Sequence, residues 1–469
     1  MNDNRTRGDL PKVAEASGFR SVIADGWGPA VPGPDPTPGA AEAAAAHRAR
    51  LSAAFPGRRI VLAAGRATVR TNDTYHLFRA DTDFVWLTGC QVEGAVVVLR
   101  PFGSGHDATL FLPEPAAPDE VDFFGDPDHS PLWVGPAASL AEQAAVLGVE
   151  CRSLEELPRA LRGRRPEPLA VRGVDPLVDA LVGDHSAELR TVLAELRRVK
   201  DDWEIGQLRA AVDATAVGFA DVRGELAEAV RGGGERWLQG TFDRRARTLG
   251  NGPGYTSIVA AGAHSPVLHW TRCDGPVAPD SLLLLDAGVE VDTLYTADVT
   301  RTFPVSGTFS PAERQVYELV LAAHLAAMAE VRPGNEYRAF HDTAMRVLAQ
   351  GLADWGLLPV SVDKALDPDG QHHRRYIVCG TGHLLGLDMH DCAQARPSVY
   401  QGGVLSPGVA LTVEPGLYFH PNDLTLPPEL RGVGVRIEDD LVVTGDGHEV
   451  LSAMLPIDVD GVEEWVRGR

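Results

Sequence analysis

The stretch Leu282–Pro304, LLLLDAGVEVDTLYTADVTRTFP, decides how the whole chain is read. Its first half is an apolar strand that delivers Asp286 at the end of four leucines. A turn is expected near Asp292–Thr293, after which the chain returns and Asp298 follows in a second strand. A carboxylate directly behind a buried apolar run is costly unless a proton, a cation or a metal neutralises it. Asp298 lies 12 residues after Asp286, a spacing that lets two hairpin strands aim both groups into one cleft. Alone, the pair fits a capping or ion-pair role as well as a metal.

Three more segments repeat the theme. GTGHLLGLDMHD holds His383 between glycine and a leucine pair, with His390 seven residues later. Neutral imidazole is a good ligand for divalent transition metals, although a lone histidine is commonly a satisfied core residue. ALTVEPGLYF is an apolar strand ending in Glu414 before a Pro-Gly turn. In GVRIEDDLVV, alternation sets Arg436 and Glu438 on one face, which a salt-bridged edge strand would also explain. Together, distant apolar elements deliver four carboxylates and one histidine. Oxygen-rich ligation with one imidazole suits two divalent cations such as Mn²⁺ or Co²⁺ better than a structural zinc. That points to a two-metal hydrolase without naming its substrate.

The remaining sequence frames this site. A length of 469 residues allows two or three domains, each with its own core. GPAVPGPDPTPGA (28–40) reads as an irregular arm, and AAEAAAAHRARLSAAF after it as a helix ending before Pro56. RIVLAAG, DFVWLTG, GAVVVLR and ATLFLP read as strands of a first sheet, and SLAEQAAVLG and DPLVDALVG as helices. From Glu188 long helices begin, ELRTVLAELRRVK and then WEIGQLRAAVDATAVGFADVRGELAEAV, with Asp202 as the expected N-cap. The domain boundary is expected between Gly183 and Thr191.

Forty-three basic against 65 acidic side chains leave a net charge of −22, which argues against nucleic acid as a partner. It suits a substrate with a positive amino terminus or a site that gathers cations, and equally a merely acidic surface. Five scattered cysteines without a CxxC pair fit neither a disulfide framework nor a thiolate zinc site. The polar start, MNDNRTRGDLPKV, and the lack of any apolar run near the ~20 residues of a membrane span give a cytoplasmic expectation with no membrane partner.

LLDAG, ADVTRTFP, GHLLGLDMHD, TVEPGLY and VRIEDD, in that order, resemble the metallopeptidase family that contains aminopeptidase P, prolidase and methionine aminopeptidase, whose fold is called pita-bread. The likeness spans about residues 190 to 455. It implies metal ligands Asp286, Asp298, His383, Glu414 and Glu438, with Asp298 and Glu438 bridging two ions. NDTYHLFRADTDFVWLTGCQVEGAVVVL is similar to the N-terminal domain of aminopeptidase P, which methionine aminopeptidase lacks.

The implied architecture is an arm (1–44), an α/β N-terminal domain (45–187) and an α+β pita-bread catalytic domain with a curved antiparallel sheet (188–469). By the same resemblance His269 contacts substrate and His390 helps stabilise the tetrahedral intermediate. Without the resemblance, His269 reads as an ordinary strand histidine. Departures from the family pattern are small: a slightly longer Asp286–Asp298 turn, Leu77 for a common proline, and Cys392 after the His-Asp pair.

The implied activity is an Xaa-Pro aminopeptidase, acting on peptides with proline second through a water activated by two ions, Mn²⁺ first and Co²⁺ or Zn²⁺ as alternatives. Glu414 would assist proton transfer, His390 and His269 would bind the scissile carbonyl, and Arg436 and Tyr418 would order the carboxylates and substrate. A homodimer or homotetramer is the implied assembly. The rivals are a prolidase limited to Xaa-Pro dipeptides and a metal-free pita-bread binding protein.

Overall fold

The computed structural model describes residues 17–20, 22, 25–27, 37–126, 130–162, 168–182 and 186–468, so most of the expected arm lies outside the described residues. The chain divides into two compact units, Met1–Leu189 and Arg190–Arg469.

The first unit is α/β. Its sheet runs in the order Glu150–Ser153, Gly105–Leu112, Val96–Phe102, Ile60–Ala63, Leu169–Ala170. The three middle strands are antiparallel and the two outer pairings parallel. Val61, Ala63, Val96, Val98, Phe111 and Ala170 form the sheet's share of a core closed by Leu157 and Val178. The Ala-rich helix runs Ala40–Ala54, and Ser139 with Glu142 forms a capping box on Leu140–Leu147.

DFVWLTG is not a strand. Thr82–Thr88 is a helix, with the Asp81 carboxylate accepting from the N–H groups of Asp83 and Phe84 and with Gly89 at φ 66° ending it. The run is buried from Asp83 to Thr88, and a short, wholly buried run carries no periodicity to separate helix from strand.

The second unit is α+β. Asp202–Gly224 opens with Asp201, not Asp202, as N-cap; its side chain accepts from Glu204 N and Glu204 answers to Asp201 N. The long helix expected through Val230 breaks at Glu225: a helical turn, Leu226–Glu228, and a wide turn, Ala229–Gly233, lead into Gly234–Leu249. Two helix pairs pack closely: a Cβ on Gly218 would lie 2.7 Å from the ring of Phe242, and one on Gly351 would lie 2.3 Å from Leu319. Gly351 belongs to Ala339–Asp354 and Leu319 to Pro311–Glu330.

The strands between these helices position the site. Leu282–Ala287 lies between Ile258–Ala261 and Val299–Pro304, antiparallel to both, with Asp286 opposite Thr300. All residues of the three strands are buried. Further along, Ala410–Val413 pairs with Asp439–Val443, and Gly416–Phe419 with Val433–Arg436. Single bridges, Thr300 to Glu438 and Leu384 to Leu411, tie the distant segments together. Among the described residues no helix is long and apolar enough to cross a membrane.

Candidate functional site

Each expected carboxylate ligand stands at or beside the end of a strand. Asp286 is the penultimate residue of its strand, and Asp298 immediately precedes Val299–Pro304. The Asp292–Thr293 turn between them is present. Glu414 follows Ala410–Val413, and Glu438 sits in the break between Val433–Arg436 and Asp439–Val443. His383 lies on an irregular segment sewn to Ala410–Val413: its N–H donates to Thr412 Oγ1, and Thr412 N donates back to its carbonyl at 2.8 Å. Tyr337 donates to Gly382 O and Tyr400 accepts from Leu384 N, so both flanks of His383 are held.

These placements converge. Ligand atoms of Asp298, His383 and Glu438 lie within 4.8 Å of one another. His383 Nε2 is 3.2 Å from Asp298 Oδ2 and 3.6 Å from Glu414 Oε1. Asp286 joins through Tyr255, whose hydroxyl is 2.7 Å from Asp286 Oδ1 and 2.5 Å from Asp298 Oδ1. Arg436 pairs with Asp286 Oδ2, donates to Tyr418 OH at 3.1 Å and reaches Thr300 Oγ1 at 3.0 Å. Thr300 in turn donates to Glu438 Oε2. Arg436 and Glu438 thus meet the same hydroxyl, in keeping with the shared face expected of them.

The electrostatics describe an uncompensated anionic pocket. Burial pushes Glu438 well above the usual carboxylate range, and Asp298, Glu414 and Asp286 push it further. Burial raises Asp286 as well; Arg436 pulls it back and Asp298 opposes that pull. Glu414 is raised by burial to about 7, against the charge of His383. Burial lowers His383, but the Asp298 hydrogen bond and the charge of Glu414 outweigh it and push it up to about 9. Four carboxylates and one arginine cannot all be buried charged without more positive charge.

Two observations fit that missing charge to a metal. The Tyr255 hydroxyl has a single proton but two carboxylate oxygens within reach. His383 Nδ1 faces the Leu384 carbonyl at 3.2 Å, and a carbonyl only accepts, so Nδ1 carries hydrogen and Nε2, aimed at Asp298 and Glu414, is the ring nitrogen that would give up its proton to a cation. The cluster therefore fits divalent cations.

The other expected residues surround it. His390 is exposed and meets His383 edge to face, ring centroids 4.3 Å apart. Burial and the His383 charge lower its pKa. Tyr418 is buried, its hydroxyl taken up by Arg436. His269 is not in a strand: it lies on an exposed turn, near enough for its charge to act on His390. A turn replaces the strand because Ile258–Ala261 ends eight residues earlier.

Several residues of this site were not anticipated. Thr300 and Thr302 follow Asp298 at the alternation of a strand, a signal that was open to reading. Asp440, which receives the Asp298 N–H at 3.0 Å, belongs to the IEDD string. Tyr255, in GPGYTSI, carries no local sign of its role.

Comparison with known proteins agrees with this geometry. Residues 206–445 match the model of metallopeptidase family M24, and residues 44–166 that of the aminopeptidase P N-terminal domain. The chain is 51% identical over 429 residues to Xaa-Pro aminopeptidase 2 of Streptomyces coelicolor, covering 90% of each. It is similar to the structure of Pseudomonas aeruginosa aminopeptidase PepP, with a TM-score of 0.79, 31% identity and coverage of 91% of this chain and 98% of that one. A zinc-substituted Escherichia coli aminopeptidase P in complex with product matches with a TM-score of 0.79 and 27% identity, covering 91% and 98%. The family and the anionic cluster together make divalent metal the cofactor class. The chain belongs to metallopeptidase family M24 and, with its two matched domains, to the aminopeptidase P branch of that pita-bread family.

Proposed function

We propose that this chain is an Xaa-Pro aminopeptidase: it releases the first residue of peptides whose second residue is proline. The observation that carries the reading is the convergence of buried Asp298 and Glu438 with half-buried His383 in a chain with both aminopeptidase P domains. Residues 45–187 serve as the N-terminal domain and 188–469 as the catalytic domain. Asp286, Asp298, His383, Glu414 and Glu438 would hold two divalent cations, Mn²⁺ first and Co²⁺ or Zn²⁺ as alternatives. When bound, such a pair supplies Lewis acidity and lowers the pKa of water toward neutrality.

The chain's own groups do the rest. Glu414, with 18% of its side chain exposed, is the carboxylate open toward solvent, so it takes the proton from water and passes it to the leaving proline nitrogen. His390 and His269 donate to the scissile carbonyl oxygen as charge builds on it. Arg436 and Tyr418 keep Asp286 in place, and the free amine of the peptide sits beside Asp286, which limits cutting to the first residue. Proline makes the scissile amide tertiary, so a pocket that asks for no N–H at that position accepts it.

Assays of Xaa-Pro dipeptides beside Xaa-Pro peptides of graded length, with Mn²⁺, Co²⁺ and Zn²⁺ compared, test the reading. Cleavage of tripeptides and longer peptides supports it; cleavage of the dipeptide alone would establish a prolidase instead.

A further inference from the structure

Glu235, the second residue of helix Gly234–Leu249, is fully buried, and its carboxylate collects four donors. Oε1 accepts from Ala261 N at 2.8 Å and from His264 Nδ1 at 2.8 Å. Oε2 accepts from Trp270 Nε1 at 2.8 Å and from Gly275 N at 2.7 Å. Its own N–H donates to Gly275 O at 3.0 Å. One side chain therefore closes both ends of the loop 261–275 and pins its middle at Trp270.

The surroundings are shaped for this closure. His264 stacks on Trp270 with centroids 3.9 Å apart, and the Arg272 guanidinium carbon lies over the indole 5.3 Å from its centroid. A Cβ on Gly275 would lie 2.4 Å from the His264 ring and 2.9 Å from Glu235 Oε2, and one on Gly234 would lie 2.7 Å from Gly275 O. Two glycines thus let the helix start and the loop end approach closely enough for the carboxylate to bridge them.

The loop carries His269, one residue before the anchored Trp270. His269 itself is exposed, so where its side chain can reach is set by the position of the backbone that carries it. From this we propose that Glu235 is a positioning residue for hydrolysis, holding His269 at the scissile carbonyl through Trp270 and the two loop ends. The inference rests on the role given to His269 above. No metal ligand touches Glu235 in this network, so its effect is separable from ion binding.

Steady-state kinetics on an Xaa-Pro-Yaa peptide with metal-loaded Glu235→Gln, His269→Ala and the double variant test the proposal. Glutamine keeps the volume but offers one acceptor oxygen and turns an NH₂ toward two donors. Glu235→Gln is expected to lower kcat/KM by about tenfold to a hundredfold, the scale of a small misplacement of a catalytic group. It should leave bound metal unchanged and add no further loss in the His269→Ala background. Trp270→Phe, which removes a single N–H from the network, should show a smaller loss with the same non-additivity, and it serves if Glu235→Gln does not fold.

Losses that multiply in the double variant, or wild-type kcat/KM in Glu235→Gln while His269→Ala is impaired, would overturn the positioning role. An unimpaired His269→Ala would instead overturn the reading of His269 on which it rests.

Discussion

Thr300 and Glu438, 138 residues apart in the chain, are joined by a hydrogen bond of 2.7 Å from the threonine hydroxyl to Oε2. The same hydroxyl accepts from Arg436 Nε at 3.0 Å, so one small side chain aims a carboxylate and an arginine at once. Thr300→Val keeps the shape and deletes both contacts. Groups behind a ligand typically set metal affinity by about 10–100-fold. Calorimetric titration of Mn²⁺ into Thr300→Val should show a loss of that size, and unchanged affinity would mean that Glu438 needs no such support.

The second prediction concerns the fold beneath His390. Asp391 is buried between Arg197 at 2.7 Å and Lys200 at 2.8 Å. Burial raises its pKa, but the two cations outweigh that and hold it well below the usual carboxylate range; Lys200 is raised in turn, Asp391 overcoming the cost of its burial. Asp391→Asn strands two buried cations and should cost about 3–5 kcal/mol in urea unfolding.

The pH dependence follows from the signs. A depressed carboxyl stabilises the fold above its unfolded value of about 4, and that support is lost as pH falls through the lower folded value. The wild type should therefore lose stability steeply in strong acid, and the asparagine variant less so. The raised Lys200 contributes below its unfolded value of about 10.4 and ceases to do so as pH rises through its folded value. Parallel acid limbs in the two proteins would count against this ion-pair assignment.

Removal of metal should be felt in stability as well as in activity. Burial and mutual repulsion raise Asp286, Glu414 and Glu438 together, so a cation that binds their charged forms relieves a cost the fold otherwise bears. A ligand present at about 1,000 times its Kd stabilises the native state by about 4 kcal/mol. Thermal unfolding at graded free Mn²⁺ should show Tm rising with concentration, and a Tm indifferent to metal and chelator would speak against the site.

Glu414→Gln removes the group assigned to proton transfer. At saturating metal, kcat should fall by about 10²–10⁴-fold, the usual share of general acid–base catalysis. Recovery of full kcat on adding metal would reduce Glu414 to a ligand alone.

Much of this was legible in the sequence because burial and charge pull in opposite directions at particular positions. A carboxylate after four leucines, and another after ALTV, are legible because their cost demands compensation. His383 and Glu438 gain meaning only jointly with them. Thr82–Thr88 was misread because a run buried on all sides looks alike in either conformation, and Asp201 and Asp202 compete as neighbours for one cap. Tyr255 and Glu235 were out of reach: their roles come from partners brought near by tertiary structure, to which local sequence is blind.

The most direct measurement is metal occupancy, paired with hydrolysis of an Xaa-Pro-Yaa tripeptide, for the wild type and Asp298→Asn. If Asp298 is a ligand of two ions, as proposed, the wild type should bind two tight Mn²⁺ per chain and cleave, as a two-metal hydrolase requires. The variant should lose both tight occupancy and cleavage. Full cleavage by Asp298→Asn, or by wild-type protein stripped of metal, would contradict the account.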